Sequence, residues 1–358
     1  MATLQVVDRW TGPGNRDEVI RPVPMRENGA HPSKDKGHFE HWYFDARLDD
    51  GHVIVGFLQT AELMTKKAGV ELHVYEPNGT RHEVRKFYPH AQASASTEKC
   101  DVRVAHNWGR VVEDFADGGL PRHQIHIAED GMQFDLTFES LVPMWQPGEG
   151  LTNYGEDSFF AWVVAAPKAK VTGSIVVNGK RHEVSGIGYH DHNWGKGTMP
   201  RIVDHWYWGR VYADDLTVVY ATIFTTGRFG NAVSTPFMLA SGSDVVLSTG
   251  EVEIAEGPSV YNEIADQSYP SSLTLRAGGG AAELRLDVQE IIHAHDLLND
   301  VPVVGKRFVK PVAKPVINRL LGNPGYFRFR SDFTLTAQVG GETVVRMGST
   351  LHEAVALR

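Results

Sequence analysis

Six consecutive residues bring together a phenol, two imidazoles, a carboxyl, an amide and an indole: Tyr189-His190-Asp191-His192-Asn193-Trp194. Gly186-Ile187-Gly188 precedes them and Gly195 follows, which is strand or bulge punctuation. On a strand, side chains alternate between faces. Tyr189, Asp191 and Asn193 then share one face, and His190, His192 and Trp194 share the other. A carboxyl beside a phenol on the wall of an apolar cavity suits proton donation, because desolvation raises the carboxyl pKa. Asp191 is the candidate acid and Tyr189 its partner. The same residues equally suit a β core in which His, Asp and Tyr satisfy one another and nearby backbone.

The elements around this stretch read as strands. Phe39–Leu48 turns at Asp49-Asp50-Gly51 into His52–Leu58, and Glu71–Glu76 turns at Pro77-Asn78-Gly79 into Thr80–Val84. Short runs follow at Val102–Ala105, Gln124–Ile127, Met132–Ser140, Phe160–Val164 and Gly173–Val177; the last turns at Asn178-Gly179 into His182–Val184. Short alternating runs joined by Asn-Gly and Asp-Gly turns are the mark of an antiparallel all-β fold. Residues 1–37, rich in Pro and Gly, read as an extended segment that packs on the surface.

Glu40-His41-Trp42-Tyr43-Phe44 returns as Asp204-His205-Trp206-Tyr207-Trp208, matching in chemical class at every position. The spacing is too long for a solenoid, so it points to two related β domains in tandem, residues 38–197 and 198–358. The second domain reads as strands again, apart from Leu297–Pro324. There Val316–Leu321 has helical character, limited by Pro311 and Pro315. From Val301 to Arg330 there is no acidic residue, while Lys306, Arg307, Lys310, Lys314, Arg319, Arg328 and Arg330 are basic. This span is either a cap on a barrel end with its lysines in water or a weak contact with an anionic membrane surface, the cap being the simpler reading.

Composition narrows the function classes. The 358 residues carry a formal net charge of −9, which argues against nucleic acid as a partner. A single cysteine, Cys100, rules out an intrachain disulfide and a cysteine-rich metal site. With no apolar core in Met1–Arg9 and no membrane-length apolar run, a cytoplasmic location is expected. The 8 Trp, 11 Tyr, 16 Phe and 17 His point to an interior of amphipathic rings, which suits a binding cavity as well as an ordinary core.

Four motifs together resemble the AttH/CrtC-like, lipocalin-like family, which includes carotenoid 1,2-hydratases (hydroxyneurosporene synthases). They are Phe39–Phe44 with its acidic turn, the approach through Pro167 and Gly173-Ser174-Ile175, the block Gly186–Gly195, and Asp204-His205-Trp206-Tyr207-Trp208-Gly209-Arg210. The resemblance covers about residues 37–355. It implies two lipocalin-like antiparallel β-barrels with a lipophilic pocket in or between them, and no redox cofactor. It implies acid-catalysed addition of water to an isoprenoid double bond, or its reverse. In fungal relatives it implies [4+2] cyclisation of polyenes, as Diels–Alderases perform. The Tyr-x-Asp pair of the hydratases maps onto Tyr189 and Asp191. Their upstream His-x-Trp pair corresponds to Phe160-x-Trp162, so this chain carries Phe160 where the hydratases carry histidine. That departs from carotenoid hydration proper while leaving Asp-centred acid chemistry in place.

Around Asp191 and Tyr189, the expected supporting or pocket residues are His190, His192, Asn193, Trp194, Trp162, Glu40, Trp42, Tyr43, Asp204, Trp206 and Trp208. Indole faces stabilise a carbocation by about 0.5–2 kcal/mol. Glu40 and Asp204 would partner His190 or His192. Three histidine pairs, His190/His192, His293/His295 and His123/His126, resemble strand-borne metal ligands. With 17 histidines chance pairs are common, and no metal is assigned. A non-catalytic carrier of a lipophilic molecule is the remaining class; a buried acid has no use in it.

Overall fold

The computed structural model describes residues 3–8, 20–63, 65–112, 119–300 and 323–357. It is all-β: two large, nearly closed antiparallel sheets follow one another along the chain. Eight strands position the candidate site: β1 (His38–Leu48), β2 (Val53–Ala61), β3 (Ser158–Val177), β4 (Lys180–Lys196), β5 (Val203–Ala213), β6 (Leu216–Thr225), β7 (Gly325–Val339) and β8 (Glu342–Ala356).

In the first sheet the order runs Arg81–Tyr88, Ala68–Tyr75, β2, β1, β4, β3, Met132–Ser140, Arg122–Glu129, Asn107–Val111, Asp101–Val104, Ala93–Ala95. It curls into a barrel around Phe44, Leu58, Val104, Ile127, Phe134 and Phe138. In the second the order runs Asp244–Thr249, Phe237–Ser241, β6, β5, β8, β7, Ala282–Asp296, Ser272–Ala277, Val252–Glu256. Its interior holds Val211, Leu239, Leu275, Leu284, Phe329 and Leu335. A third cluster lies between the barrels and takes Val55, Trp145, Trp162 and Tyr189 from the first, and Val219 and Met238 from the second.

Burial along β4 follows from this arrangement. From Arg181 to Ile187 more exposed and more covered residues alternate, as on a strand with one wet face. From Gly188 to Gly195 every residue is buried, because one face meets the barrel interior and the other meets the second barrel. The Gly-x-Gly before the site permits close approach of β1. A Cβ on Gly186 would lie 2.3 Å from the Arg47 carbonyl oxygen, and one on Gly188 2.6 Å from that of Asp45.

Three sequence expectations change. Phe160–Val164 and Gly173–Val177 belong to the one strand β3; register shifts beside Ala166 let it pass Pro167, which has no N–H to donate. The N-terminal segment does more than coat the surface. Val6–Asp8 pairs with Leu151–Tyr154, and the turn Met25–Asn28 carries Asn28 into the first barrel, where it bonds buried histidines. Finally, the repeated acid-His-Trp-Tyr run is inverted between copies. Trp42 and Phe44 point into the first barrel and Tyr43 out of it, whereas Tyr207 points into the second and Trp208 out. With a side-chain period of two, matching sequence does not fix the face.

Among the described residues no helix is long and apolar enough to cross a membrane. Residues 301–322 of the basic span, including Val316–Leu321, lie outside the described residues. In its remainder Arg328 is buried against Glu353, and Arg330 pairs with Glu290.

Candidate functional site between the barrels

β4 presents Tyr189, Asp191 and Asn193 to the second barrel. The Asp191 carboxyl is buried and carries three hydrogen bonds. Its Oδ2 accepts from Trp162 Nε1 at 2.9 Å and from the Tyr189 hydroxyl at 2.8 Å; its Oδ1 accepts from Asn193 Nδ2 at 2.8 Å. Trp162 reaches it because β3 pairs with β4 in a register that sets Trp162 opposite Asn193. Burial pushes the Asp191 carboxyl up, the bonds from Trp162 and Tyr189 pull it back, and the nearby Asp45 carboxyl adds to the rise. The result is a pKa of about 7. Burial and the adjacent Asp191 carboxyl hold the Tyr189 phenol well above its ordinary value.

Beside this acid lies a polar chain contributed by both barrels. Tyr43 donates to Asp45 Oδ2 at 2.5 Å, Arg210 from β5 pairs with Asp45, and Arg328 from β7 reaches the Tyr43 hydroxyl at 3.4 Å while pairing with Glu353 from β8. The Arg210 guanidinium lies 5.0 Å from the Tyr189 ring centre and 5.4 Å from that of Trp208. The rings of Tyr43, Tyr189 and Trp208 stand edge-to-face, 5.3 to 6.2 Å apart. Asp45, Arg210, Arg328 and Glu353 were not among the sequence-level candidates. Two of them were within reach: Asp45 shares a strand face with Tyr43, and Arg210 shares one with Trp208. Arg328 and Glu353 carry no local signal, since only the pairing of β7 with β8 brings them together.

The other face of β4 belongs to a separate place: His190 and His192 lie against the first barrel's core, and Trp194 in a neighbouring cluster with Val23, Met144 and Ala161. His192 Nε2 lies 3.2 Å from Glu40 Oε1 and its ring stacks on Trp42, while Trp194 stacks on His31. Burial alone would raise Glu40; bonds with His192 and His38 outweigh it and hold the carboxyl well below the usual range. His190 bonds the Tyr43 carbonyl and Asn28. Asp204 is not a partner of His190 or His192. It bonds its neighbour His205 at 2.8 Å, in a cleft of about 220 Å³ in the second barrel that Tyr207 and Glu256 also line. Trp206 packs with Phe39, Val203 and Val355, beside Phe160. Of the expected set, Asp191, Tyr189, Asn193, Trp162, Tyr43 and Trp208 gather between the barrels; the rest do not.

The sequence model of the AttH-like family matches residues 63–302. Among curated proteins, the chain is 37% identical over 79 residues to a hydroxyneurosporene dehydrogenase of Chlorobaculum tepidum, covering 20% of this chain and 21% of that protein. It is 32% identical over 230 residues to the quinolone epoxide rearrangement protein penF of Penicillium thymicola, covering 59% and 62%. The matched region thus spans about a fifth and about three fifths of these two relatives. Among solved structures, an AttH protein from Nitrosomonas europaea superposes with a TM-score of 0.63 at 15% identity, over 100% of both chains. Kievitone hydratase from Nectria haematococca superposes with a TM-score of 0.56 at 14% identity, over 99% of this chain and 97% of that one. At such identities the likeness is one of fold.

Proposed function

The chain belongs to the AttH-like family, and on that premise we propose that it is an enzyme adding or removing water at a double bond of a hydrophobic, isoprenoid-type substrate, with Asp191 as the proton-carrying group. The observation that carries this reading is the buried Asp191 carboxyl. Its Oδ2 already accepts two hydrogen bonds and its Oδ1 one, so a proton is best placed on the free lone pair of Oδ1. In the hydration direction that proton goes to an alkene carbon and leaves a tertiary cation on its neighbour. Water adds to the cation, and the proton it sheds returns to Asp191. Trp162 and Tyr189 stabilise the carboxylate left between the two transfers, and the Trp162 ring offers a π face to the cation. Dehydration runs the same steps backwards.

The relatives support proton-initiated chemistry of this kind. One is named for rearranging a quinolone epoxide, and protonation of an epoxide, like that of an alkene, opens a route through a cation. A solved neighbour is named as a hydratase. A second reading is favoured by the ring cluster of Tyr43, Tyr189 and Trp208: a pericyclase whose walls fold a polyene, with Asp191 only structural.

Mass spectrometry of an organic extract of the protein from its native host identifies the substrate. A pair of isoprenoids differing by the mass of water supports hydration or dehydration; a polyene with a cyclised isomer of equal mass supports the pericyclase. Turnover of that compound by Asp191→Asn then decides. Loss by orders of magnitude is expected of the acid, near-full retention in a folded variant of the pericyclase. No turnover by either form would identify a lipophilic binding protein.

A further inference from the structure

The first barrel buries a second cluster that the proton chemistry does not use. Cys100, His123 and His190 come from three separate parts of the first domain and each is almost wholly covered. One ligating atom from each lies within 4.8 Å of the other two. Asn28 sits against them, its Nδ2 at 3.1 Å from Nε2 of both His123 and His190.

Two details of the cluster point outward from ordinary core packing. His190 Nδ1 lies 2.9 Å from the Tyr43 carbonyl, which can only accept, so Nδ1 carries the hydrogen and Nε2 is an acceptor, facing Asn28 Nδ2 in the absence of a metal. A second nitrogen fixed on a carbonyl is how metal-bound histidines are oriented. Asn28 Oδ1 and His123 Nδ1 are buried without any hydrogen-bond partner. Buried polar atoms rarely stay so. Rotating the Asn28 amide by half a turn would set Oδ1 where Nδ2 now stands, facing both imidazoles.

We propose that this cluster binds one thiophilic metal ion through Cys100 Sγ and a ring nitrogen each of His123 and His190, with Asn28 Oδ1 beside it. Thiolate and imidazole donors select copper(I) or zinc(II). Donor atoms around such an ion stand roughly 3.5 Å apart, so the three need close in by no more than about 1.3 Å on binding. The surroundings favour copper(I). A thiolate, two neutral imidazoles and a single positive charge sum to zero, whereas zinc would leave a net charge in the apolar core that holds Phe44 and Phe138. Binding exchanges the thiol proton for the metal, one proton released to solvent per ion and no change in oxidation state. The site faces the barrel interior, on the side of β4 opposite Asp191, and is independent of the reaction proposed above.

The test uses the full chain purified from cells grown with added copper or added zinc, then dialysed against a chelator. About one metal ion per chain is expected to remain, more firmly for copper, and to be lost in Cys100→Ala and in His123→Phe but kept in Asp191→Asn. X-ray absorption at the metal edge of the wild-type chain should show one sulfur and two nitrogen neighbours; this reading stands even where a variant does not fold. Retention of neither metal by the wild-type chain would overturn the proposal, leaving Asn28 as a bridge between two core histidines. Equal retention in the folded variants, or a metal shell without sulfur, would overturn it too.

Discussion

Arg210 of the second barrel and Asp45 of the first form a buried ion pair across the boundary between the sheets. The Asp45 carboxyl also accepts from Tyr43, and it is one of the charges felt by Asp191. Each charge is the other's direct ionic partner in a site without water, so removing one leaves the other buried without its counter-charge. Arg210→Met or Asp45→Asn alone should each cost about 3–5 kcal/mol, as loss of one member of a buried pair does. The double variant should lose clearly less than the sum, by at least about 2 kcal/mol, because no unpaired charge remains. Urea unfolding of the four proteins measures this; strictly additive losses would show that the pair does not join the barrels.

Gly188→Ala should be among the most damaging small substitutions in the chain. The added methyl would stand 2.6 Å from the Asp45 carbonyl oxygen and 2.7 Å from the Phe138 ring, with backbone on one side and a filled core on the other. Overpacking of this kind costs about 1–3 kcal/mol or more. The same change at Gly179, which has open space around it, meets no neighbour but carries a positive φ of 71°. Its cost should come from backbone strain alone, about 1–2 kcal/mol. Thermal unfolding of the two variants checks the order; a Gly188→Ala protein as stable as wild type would mean that β1 and β4 can part without penalty.

Tyr189→Phe removes one of the two hydrogen bonds on Asp191 Oδ2 and leaves the ring in place. On the proposed mechanism it destabilises the carboxylate that forms when the proton leaves. One lost hydrogen bond to a charged group is worth about 1.5–3 kcal/mol, or roughly ten- to a hundredfold in kcat. KM should move little, since the ring surface is unchanged. Steady-state kinetics on the compound found in the organic extract would show it; a raised KM with unchanged kcat would instead make Tyr189 a binding residue.

The legible part of this fold was the part written in local pattern. Asn-Gly and Asp-Gly turns and alternating runs point to antiparallel strands, and the period of two separates Tyr189, Asp191 and Asn193 from His190, His192 and Trp194, as the structure places them. What alternation cannot say is what each face meets. Both faces of β4 are buried from Gly188 to Gly195, so a strand pattern alone gave no reason to assign the histidines to a barrel interior and Asp191 to a boundary. Arg328 and Glu353 show the same limit: their pairing depends on the register of two late strands. Asn28 shows it most plainly, because a Pro-rich segment reads as surface until a turn such as Met25–Asn28 is seen to enter the barrel.

His352 gives a pH prediction that does not depend on any activity. It sits inside the second barrel, its Nε2 at 2.8 Å from Ser331 Oγ and its Nδ1 buried without a partner. Burial lowers its pKa from 6.5 to about 3. Above pH 6.5 the ring is neutral in both the folded and the unfolded chain, and its contribution is fully present. As the pH falls from 6.5 toward 3, the unfolded chain takes up a proton that the folded one refuses, and stability is lost by up to about 1.4 kcal/mol per pH unit. Below about pH 3 the loss levels off. His352→Gln retains a bond to Ser331 but does not titrate, so its unfolding free energy should fall less steeply between pH 6.5 and 4.5, by one proton's worth of slope. Urea unfolding at several pH values gives both slopes. Identical slopes would mean that His352 is protonated in the folded barrel, with an acceptor for Nδ1 that the neutral ring does not need.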